Sequence, residues 1–149
     1  MKKILVLCAG KACRSQMAEG YLRFFTHNKA EVSSACLIPS DSHPLTLEVM
    51  MEDNIDVSEL LTKNIADVSH DSFDYLITVG HHTDGNIAVP ISAVAHIHFD
   101  IPDPEEQVRV MDAKQAFTDT RERIKREMLR FIGMHDDLHR YEEAPSERA

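Results

Sequence analysis

Apolar runs alternate with segments of helical periodicity along most of this chain. Four apolar runs predict strands, over residues 3–7, 31–37, 73–79 and 93–99. Segments in which apolar residues recur at steps of three and four predict helices, over residues 14–27, 44–53 and 105–132. Strands that alternate with helices predict an α/β fold, in which a parallel sheet carries helices on both faces.

The same periodicity predicts which side chains face the core. The predicted helix 14–27, strand 31–37 and helix 44–53 are expected to contribute apolar side chains to the core. These are Met17, Tyr21, Leu22, Phe25, Val32, Ala35, Leu45, Val49 and Met50. The last and longest segment supplies Val110, Ala113, Phe117, Thr120, Ile124, Met128 and Phe131. Because this last series is unbroken, it predicts one continuous helix.

The organisation along the chain predicts one domain and a short tail. Residues 1–132 are expected to form the domain, and residues 133–149 are polar and are expected to form a C-terminal tail. In open parallel sheets, ligands bind beyond the carboxyl ends of the strands, near the point where the strand order reverses. A functional site is therefore expected at that edge of the sheet.

Composition and charge narrow the classes of function. The chain has 149 residues and a formal net charge of -9, whereas a general nucleic-acid binder needs clustered Lys and Arg for phosphate contacts. The apolar run at the N-terminus is too short for a signal peptide or a membrane span, so we expect a cytoplasmic protein with no membrane partner. Three cysteines argue against a secreted disulfide framework and favour catalytic or redox-active thiols.

Candidate chemistry lies between the first predicted strand and the first predicted helix. Cys8 ends the apolar run and Arg14-Ser15 opens the helix, a Cys-x5-Arg spacing. The N–H groups of such a loop and the helix N-terminus bind an oxyanion, and Arg14 adds a bidentate guanidinium fork. The same positive field favours a thiolate, so Cys8 is predicted to be a nucleophile. The alternative is that Cys8 is a small buried residue at the end of a strand.

These residues and several others resemble the low-molecular-weight protein tyrosine phosphatase family, which includes one class of arsenate reductases. The chain is most similar to the arsenate-reductase branch at residues 13–20, 43–44, 55–58 and 73–79. Residues 100–104, Asp-Ile-Pro-Asp-Pro, resemble the late loop of the family that carries its general acid. The resemblance covers about residues 1–132 and implies a flavodoxin-like three-layer fold with a four-stranded parallel sheet.

The family resemblance also implies a mechanism. The Cys8 thiolate attacks phosphorus or arsenic, and Ser15 hydrogen-bonds that thiolate. Asp103 protonates the leaving oxygen, and Pro104 restricts the backbone at Asp103. The equatorial oxygens are held by the Arg14 side chain and by the backbone N–H groups of Ala9, Gly10, Lys11, Ala12, Cys13 and Arg14. The alternative for Asp103 is a simple turn residue in a proline-rich loop.

Lys11 departs from the family, which usually has Asn at this position. Lysine has no acceptor and cannot stabilise the loop as an amide does. In some reductases of the family, residues matching Lys11, Glu19, Ser34 and Asn64 bind a potassium ion beside the loop. Lys11 either points at the anion or pairs with Glu19 in the place of that ion, and we favour the second hypothesis.

The thiol chemistry also departs from the family. Thioredoxin-linked members carry a redox cysteine pair after the third strand, whereas residues 80–86 of this chain contain no cysteine. Cys13 could form a protective disulfide with Cys8. Cys36, where the family usually has Gly, could resolve an intermediate or be a small buried residue. We expect no bound cofactor and an external donor: a low-molecular-weight thiol such as glutathione or mycothiol, a glutaredoxin or a thioredoxin.

Nine histidines raise the question of a metal site. His81-His82 and His96-x-His98 could converge on one side of the sheet, and His135 and His139 lie one helical turn apart. None of these sets includes the cysteines or carboxylates of a recognised metal-binding spacing, so no metal is predicted.

Three functions are compatible with the sequence. The first is an enzyme that uses Cys8 to reduce arsenate to arsenite, as in arsenical resistance. The second is a low-molecular-weight tyrosine phosphatase that hydrolyses phosphoesters, although Glu105-Glu106-Gln107 stand where that branch places aromatic residues. The third is a non-catalytic module that binds an oxyanion.

Overall fold

The computed structural model describes most of the chain, with gaps at several loops and at the C-terminus. The described residues are 1–8, 13–36, 42–80, 91–108 and 111–138. Within them, parallel strands alternate with helices along most of the chain. The predicted parallel α/β architecture is therefore confirmed.

Five strands form one sheet in the described part of the chain. They are β1 (Lys3–Cys8), β2 (Glu31–Cys36), β3 (Thr62–Asn64), β4 (Ser72–Gly80) and β5 (Ser92–Asp100). All neighbouring strands are parallel, and their order in the sheet is β3-β2-β1-β4-β5. The prediction of four strands is corrected to five. The additional strand, β3, is a polar edge strand of three residues, too short to show an alternating pattern.

Five α-helices lie in the same described residues, between or after these strands. They are α1 (Cys13–Phe25), α2 (Pro44–Glu52), α3 (Ile65–Val68), α4 (Pro104–Gln107) and α5 (Ala113–Gly133), followed by a 3-10 turn at Asp136–Leu138. The starts of α2 to α5 are fixed by side chains that accept a hydrogen bond from the first turn. Those capping residues are His43, Asn64, Asp103 and Asp112.

The continuous helix predicted over residues 105–132 is wrong, because the structure divides it into α4 and α5. Asp103 caps α4, with Pro104 at its first position, and Asp112 caps α5 by accepting a hydrogen bond from the Gln115 N–H. Each cap marks a separate helix start, which outweighs the continuous apolar period. Val110, one of the residues expected on the apolar face, lies outside the described residues.

The two faces of the sheet carry separate clusters of buried apolar residues. Ile4 and Val6 of β1 pack with residues of α1, α2 and α5 on one face, which we call the α1 face. Leu5 and Leu7 pack with residues of α3 on the opposite face. In β2, Val32 and Ala35 are both buried as predicted, but they belong to opposite faces. This division follows from the alternation of side chains along a strand.

The chain beyond α5 packs on the domain as far as residue 138. Leu138 is 1% exposed and belongs to the core of the α1 face. The Tyr75 hydroxyl donates a hydrogen bond to the Asp137 carboxylate, and the His135 ring contacts the Tyr75 ring. In the predicted tail, His135, Asp137 and Leu138 thus contact the domain, whereas residues 139–149 lie outside the described residues.

None of the helices in the described residues is both long enough and apolar enough to cross a membrane.

Candidate active site

The site expected from the sequence lies at the carboxyl end of β1, the central strand. The chain adds β2 and β3 on one side of β1, and then β4 and β5 on the other side. The strand order therefore reverses beside β1, which is where parallel sheets bind ligands. Cys8 is the last residue of β1 and is fully buried, with Cys36 and Val79 as its register partners on the two neighbouring strands.

Arg14 enters the site from the first turn of α1 and is 3% exposed. Its Nη1 donates a hydrogen bond of 2.9 Å to the carbonyl oxygen of Ile101. Its Nη2 lies 3.9 Å from the Oδ2 atom of Asp103. Nε is buried and has no acceptor within the described part of the chain. Because Nε and Nη2 form one planar fork, Arg14 presents two donors that suit a bidentate oxyanion.

Asp103 lies in the loop between β5 and α4, and its side chain is 21% exposed. Its Oδ1 accepts a hydrogen bond of 2.9 Å from the Glu105 N–H, so this oxygen caps α4. Its Oδ2 is the oxygen that faces Arg14. The helix cap therefore orients the carboxyl group toward the guanidinium, although the two residues are far apart in sequence.

The N-terminal end of α1 supplies the positive end of a helix dipole at this edge of the sheet. The helix has 13 residues and begins at Cys13. Ser15, in its first turn, is fully buried. Of the other predicted loop donors, Ala9, Gly10, Lys11 and Ala12 lie outside the described residues. The described part of the site thus consists of Cys8, the start of α1 and the Asp103 loop.

The buried Glu19 side chain is the centre of a polar cluster that the sequence predicted only in part. Glu19 is 2% exposed, and Ser34 donates a hydrogen bond of 2.6 Å to its Oε1. Its Oε2 accepts a 2.8 Å hydrogen bond from Nε of Arg23, one helical turn later. Arg23 was missed, although its spacing of four residues from Glu19 is a signal of helical ion pairs.

This cluster bears on the potassium ion that the family resemblance implies. The Arg23 guanidinium already neutralises the Glu19 carboxylate, and the Asn64 side-chain oxygen accepts a hydrogen bond from the Ala66 N–H. Among the described residues, the oxygens of Glu19 and Asn64 therefore do not fit a potassium site. A cation bound there would contact a carboxylate whose charge is already neutralised. Lys11, the other candidate partner of Glu19, lies outside the described residues.

His43 is a second residue near the site that the sequence did not identify as functional. Its Nδ1 accepts a hydrogen bond from the Leu45 N–H, and its ring lies 4.6 Å from the ring of Phe117. Its Nε2 is 3.5 Å from the Glu105 carboxylate. His43 therefore links the start of α2 to the helix that Asp103 caps.

The histidines of β5 form a polar cluster rather than a recognisable metal site. The Thr78 hydroxyl lies 2.9 Å from Nε2 of His96 and 2.7 Å from Nδ1 of His98. Burial, with a smaller effect of His98, lowers the pKa of His96, which favours its neutral form. The described residues contain no group of three or more side chains that could hold a metal ion. His81 and His82 lie outside them.

The cysteine at the end of the central strand, the arginine at the start of α1 and the aspartate loop define a class of cysteine-dependent enzymes that act on oxyanions. The model of the "Low molecular weight phosphotyrosine protein phosphatase" family matches residues 3–143. The chain belongs to this family.

Several known members of the family resemble the chain over most of its length. It is 32% identical to an arsenate reductase of Bacillus cereus (strain 03BB102) over 84% of this chain and 92% of the relative. It is 35% identical to the glutaredoxin arsenate reductase of Synechocystis sp., but that match spans 53% of this chain and 60% of the relative. The solved structure of an arsenate reductase in the phosphate binding state has a TM-score of 0.76 at 26% identity, covering 90% of this chain and 98% of that one.

Proposed function

We propose that this protein reduces arsenate to arsenite, with Cys8 as the nucleophile. The observation that carries the proposal is the buried Arg14 fork, whose Nε lacks an acceptor among the described residues while Nη2 lies beside Asp103. Two such donors at the carboxyl end of β1 suit a tetrahedral oxyanion held over Cys8. The similarity to arsenate reductases favours arsenate among the oxyanions.

Each residue of the site has a role in this proposal. The Cys8 thiolate attacks arsenic, and a sulfur–arsenic bond forms as one arsenic–oxygen bond breaks. Asp103 gives its proton to the departing oxygen. Arg14 and the backbone N–H groups of residues 9–14 hold the other oxygens, and Ser15 hydrogen-bonds the thiolate before attack.

The reduction needs two electrons, which we propose come from thiols. The sequence has three cysteines, at positions 8, 13 and 36, and none lies in residues 80–86, where thioredoxin-linked members carry a redox pair. A low-molecular-weight thiol with a glutaredoxin is therefore the preferred external donor. The name of the Synechocystis glutaredoxin arsenate reductase supports this choice. We place the reaction in the cytoplasm, where such thiols are kept reduced.

A phosphatase activity is the second candidate, and the family match favours it. Phosphate esters are tetrahedral oxyanions that the same fork and acid would engage, and water would then release phosphate from Cys8. A module that only binds oxyanions is the third candidate.

A paired assay separates these functions. The purified chain is tested for p-nitrophenyl phosphate hydrolysis and for arsenite formation with the thioredoxin, glutaredoxin–glutathione and mycothiol systems in turn. Arsenite formation with at least one donor supports the proposal, and its loss in Cys8→Ser assigns the nucleophile. Aryl phosphate turnover without arsenite from any donor would establish the phosphatase instead. Binding of phosphate or arsenate without turnover would establish the binding module.

A further inference from the structure

Cys36 lies directly beside Cys8 in the sheet. The two residues are the last ones of β2 and β1, and they are register partners on these adjacent parallel strands. Neighbouring strands lie about 4.8 Å apart. A disulfide joins Cα atoms that are about 4.4–6.8 Å apart. The backbone separation of this pair is therefore within the range that a disulfide bridges.

The two side chains also share one face of the sheet. Cys8 has the same parity along β1 as Ile4 and Val6, which pack on the α1 face. Cys36 has the same parity along β2 as Val32 and Ser34. Val32 belongs to the cluster of the α1 face. Because side chains alternate along a strand, both thiols point toward the α1 face.

The Ser34–Glu19 hydrogen bond fixes how α1 lies along this pair. Ser15 is one helical turn before Glu19, an axial step of about 6 Å. Cys36 is two residues after Ser34, an axial step of about 6.6 Å along the strand. With Ser34 bonded to Glu19, the first turn of α1 therefore lies at the level of Cys36. The positive end of this helix stabilises a thiolate at either sulfur.

We propose that Cys36 is the thiol that resolves the arsenic adduct of Cys8, an inference that rests on the proposed arsenate reduction. The Cys36 thiolate attacks the sulfur of Cys8, and a sulfur–sulfur bond forms as the sulfur–arsenic bond breaks. The electron pair of the broken bond stays on arsenic, which passes from As(V) to As(III) and leaves as arsenite. The Cys8–Cys36 disulfide then takes two electrons from the external thiol donor.

Burial favours this internal route. Cys8 and Cys36 are both fully buried. A neighbouring thiol held at this distance reacts with the high effective concentration of an intramolecular group. The external donor would then act after arsenite has left, on the disulfide. Cys13, the first residue of α1, is the competing internal thiol.

A single-turnover experiment without a thiol donor tests the role of Cys36. Reduced and desalted wild type, Cys36→Ser and Cys36→Ala chains are mixed with arsenate, quenched in acid and alkylated. Arsenite is then measured, and disulfides are mapped by mass spectrometry. We expect wild type to release close to one arsenite per chain with a Cys8–Cys36 disulfide, and both Cys36 variants to release none. The thermal unfolding midpoints of the variants show whether they are folded. Disulfide mapping in wild type tests the role of Cys36 even if a variant does not fold.

The outcomes separate this inference from the proposed function. Arsenite release by the Cys36 variants at the wild-type level, or a Cys8–Cys13 disulfide in wild type, would overturn the role of Cys36. Arsenite that wild type forms with a glutaredoxin–glutathione donor but not without one would also overturn it, while the proposed reduction would stand. If wild type forms no arsenite with any donor, the proposed function fails and the role of Cys36 fails with it.

Discussion

At the scale of single residues, the two carboxylate oxygens of Asp103 make different contacts. Oδ1 accepts the Glu105 N–H and caps α4, while Oδ2 faces the Arg14 guanidinium. An asparagine keeps an oxygen acceptor for the cap but cannot donate a carboxylic proton. Substitution by Asn therefore separates the helix cap from the proposed role of Asp103 as general acid.

We predict that Asp103→Asn lowers kcat for phenyl phosphate by about 10²-fold or more, the usual contribution of a general acid. The loss should be smaller with p-nitrophenyl phosphate, because its leaving group needs less protonation. The unfolding free energy, measured with urea, should stay within about 0.5 kcal/mol of wild type. Asp112→Asn is the matched control, since Asp112 caps α5. Equal losses with both substrates would contradict the role of Asp103.

The ion pair between the buried Glu19 and the partly exposed Arg23 leads to a prediction about potassium. Because the guanidinium already neutralises the carboxylate, turnover should be the same in KCl and in NaCl of equal ionic strength. Steady-state rates with the preferred substrate, measured over a range of both salts, check this expectation. Clear activation by KCl alone would show that an ion binds at this cluster.

At the scale of elements, the close approach of α1 to the segment after α2 depends on Gly20. A Cβ atom at Gly20 would lie 2.9 Å from Cγ1 of Val57 and 3.1 Å from Cγ2 of Ile55. Both neighbours are β-branched and are stiff about χ1. A methyl group at this position therefore cannot be accepted without moving the helix or the segment.

We predict that Gly20→Ala destabilises the protein by about 1 kcal/mol, because overpacking of about 1–3 kcal/mol exceeds the gain in helix propensity. Gly133→Ala is the matched control, since nothing lies within 4 Å of a Cβ there and Gly133 ends α5. That variant should gain about 0.5 kcal/mol. Urea denaturation of both variants measures the difference, and a stabilised Gly20→Ala chain would refute the packing argument.

At the scale of the whole molecule, two tyrosines connect separate elements. Their titration makes the unfolding free energy depend on pH in the alkaline range. Burial and a hydrogen bond to Asp137 raise the pKa of Tyr75 to about 12. Burial and a hydrogen bond to Asp53 also raise the pKa of Tyr21. In the unfolded chain a tyrosine titrates near pH 10. Below that pH both states keep the proton, whereas above it the unfolded state loses protons first.

We therefore predict that the unfolding free energy falls as the pH rises above about 10, and that the part due to Tyr75 is lost by about pH 12. Tyr75→Phe should make this decline shallower, because one of the two tyrosines no longer titrates. Urea denaturation of both chains at several values of pH between about 8 and 11.5 measures the two slopes. Parallel declines would exclude a contribution of Tyr75.

The sequence by itself determined the features that depend on neighbouring residues. The order of most strands and helices followed from apolar periods of two and of three to four residues. The family resemblance rested on residues 13–20, 43–44, 55–58, 73–79 and 100–104 together with the Cys8–Arg14 loop. These signals are local, because each periodicity or motif lies within a single helix, strand or loop. The apolar period alone did not reveal β3, which is a short polar edge strand. It also did not reveal the division between α4 and α5, which is marked by polar capping residues.

The tertiary structure decided which distant residues meet. The sheet order places Cys36 beside Cys8, and the loop after β5 brings Asp103 to Arg14. The packing of α1 on β2 joins Glu19 to Ser34. No spacing along the chain specifies these pairs, because strand order and helix packing are set by burial of the whole core rather than by any one segment.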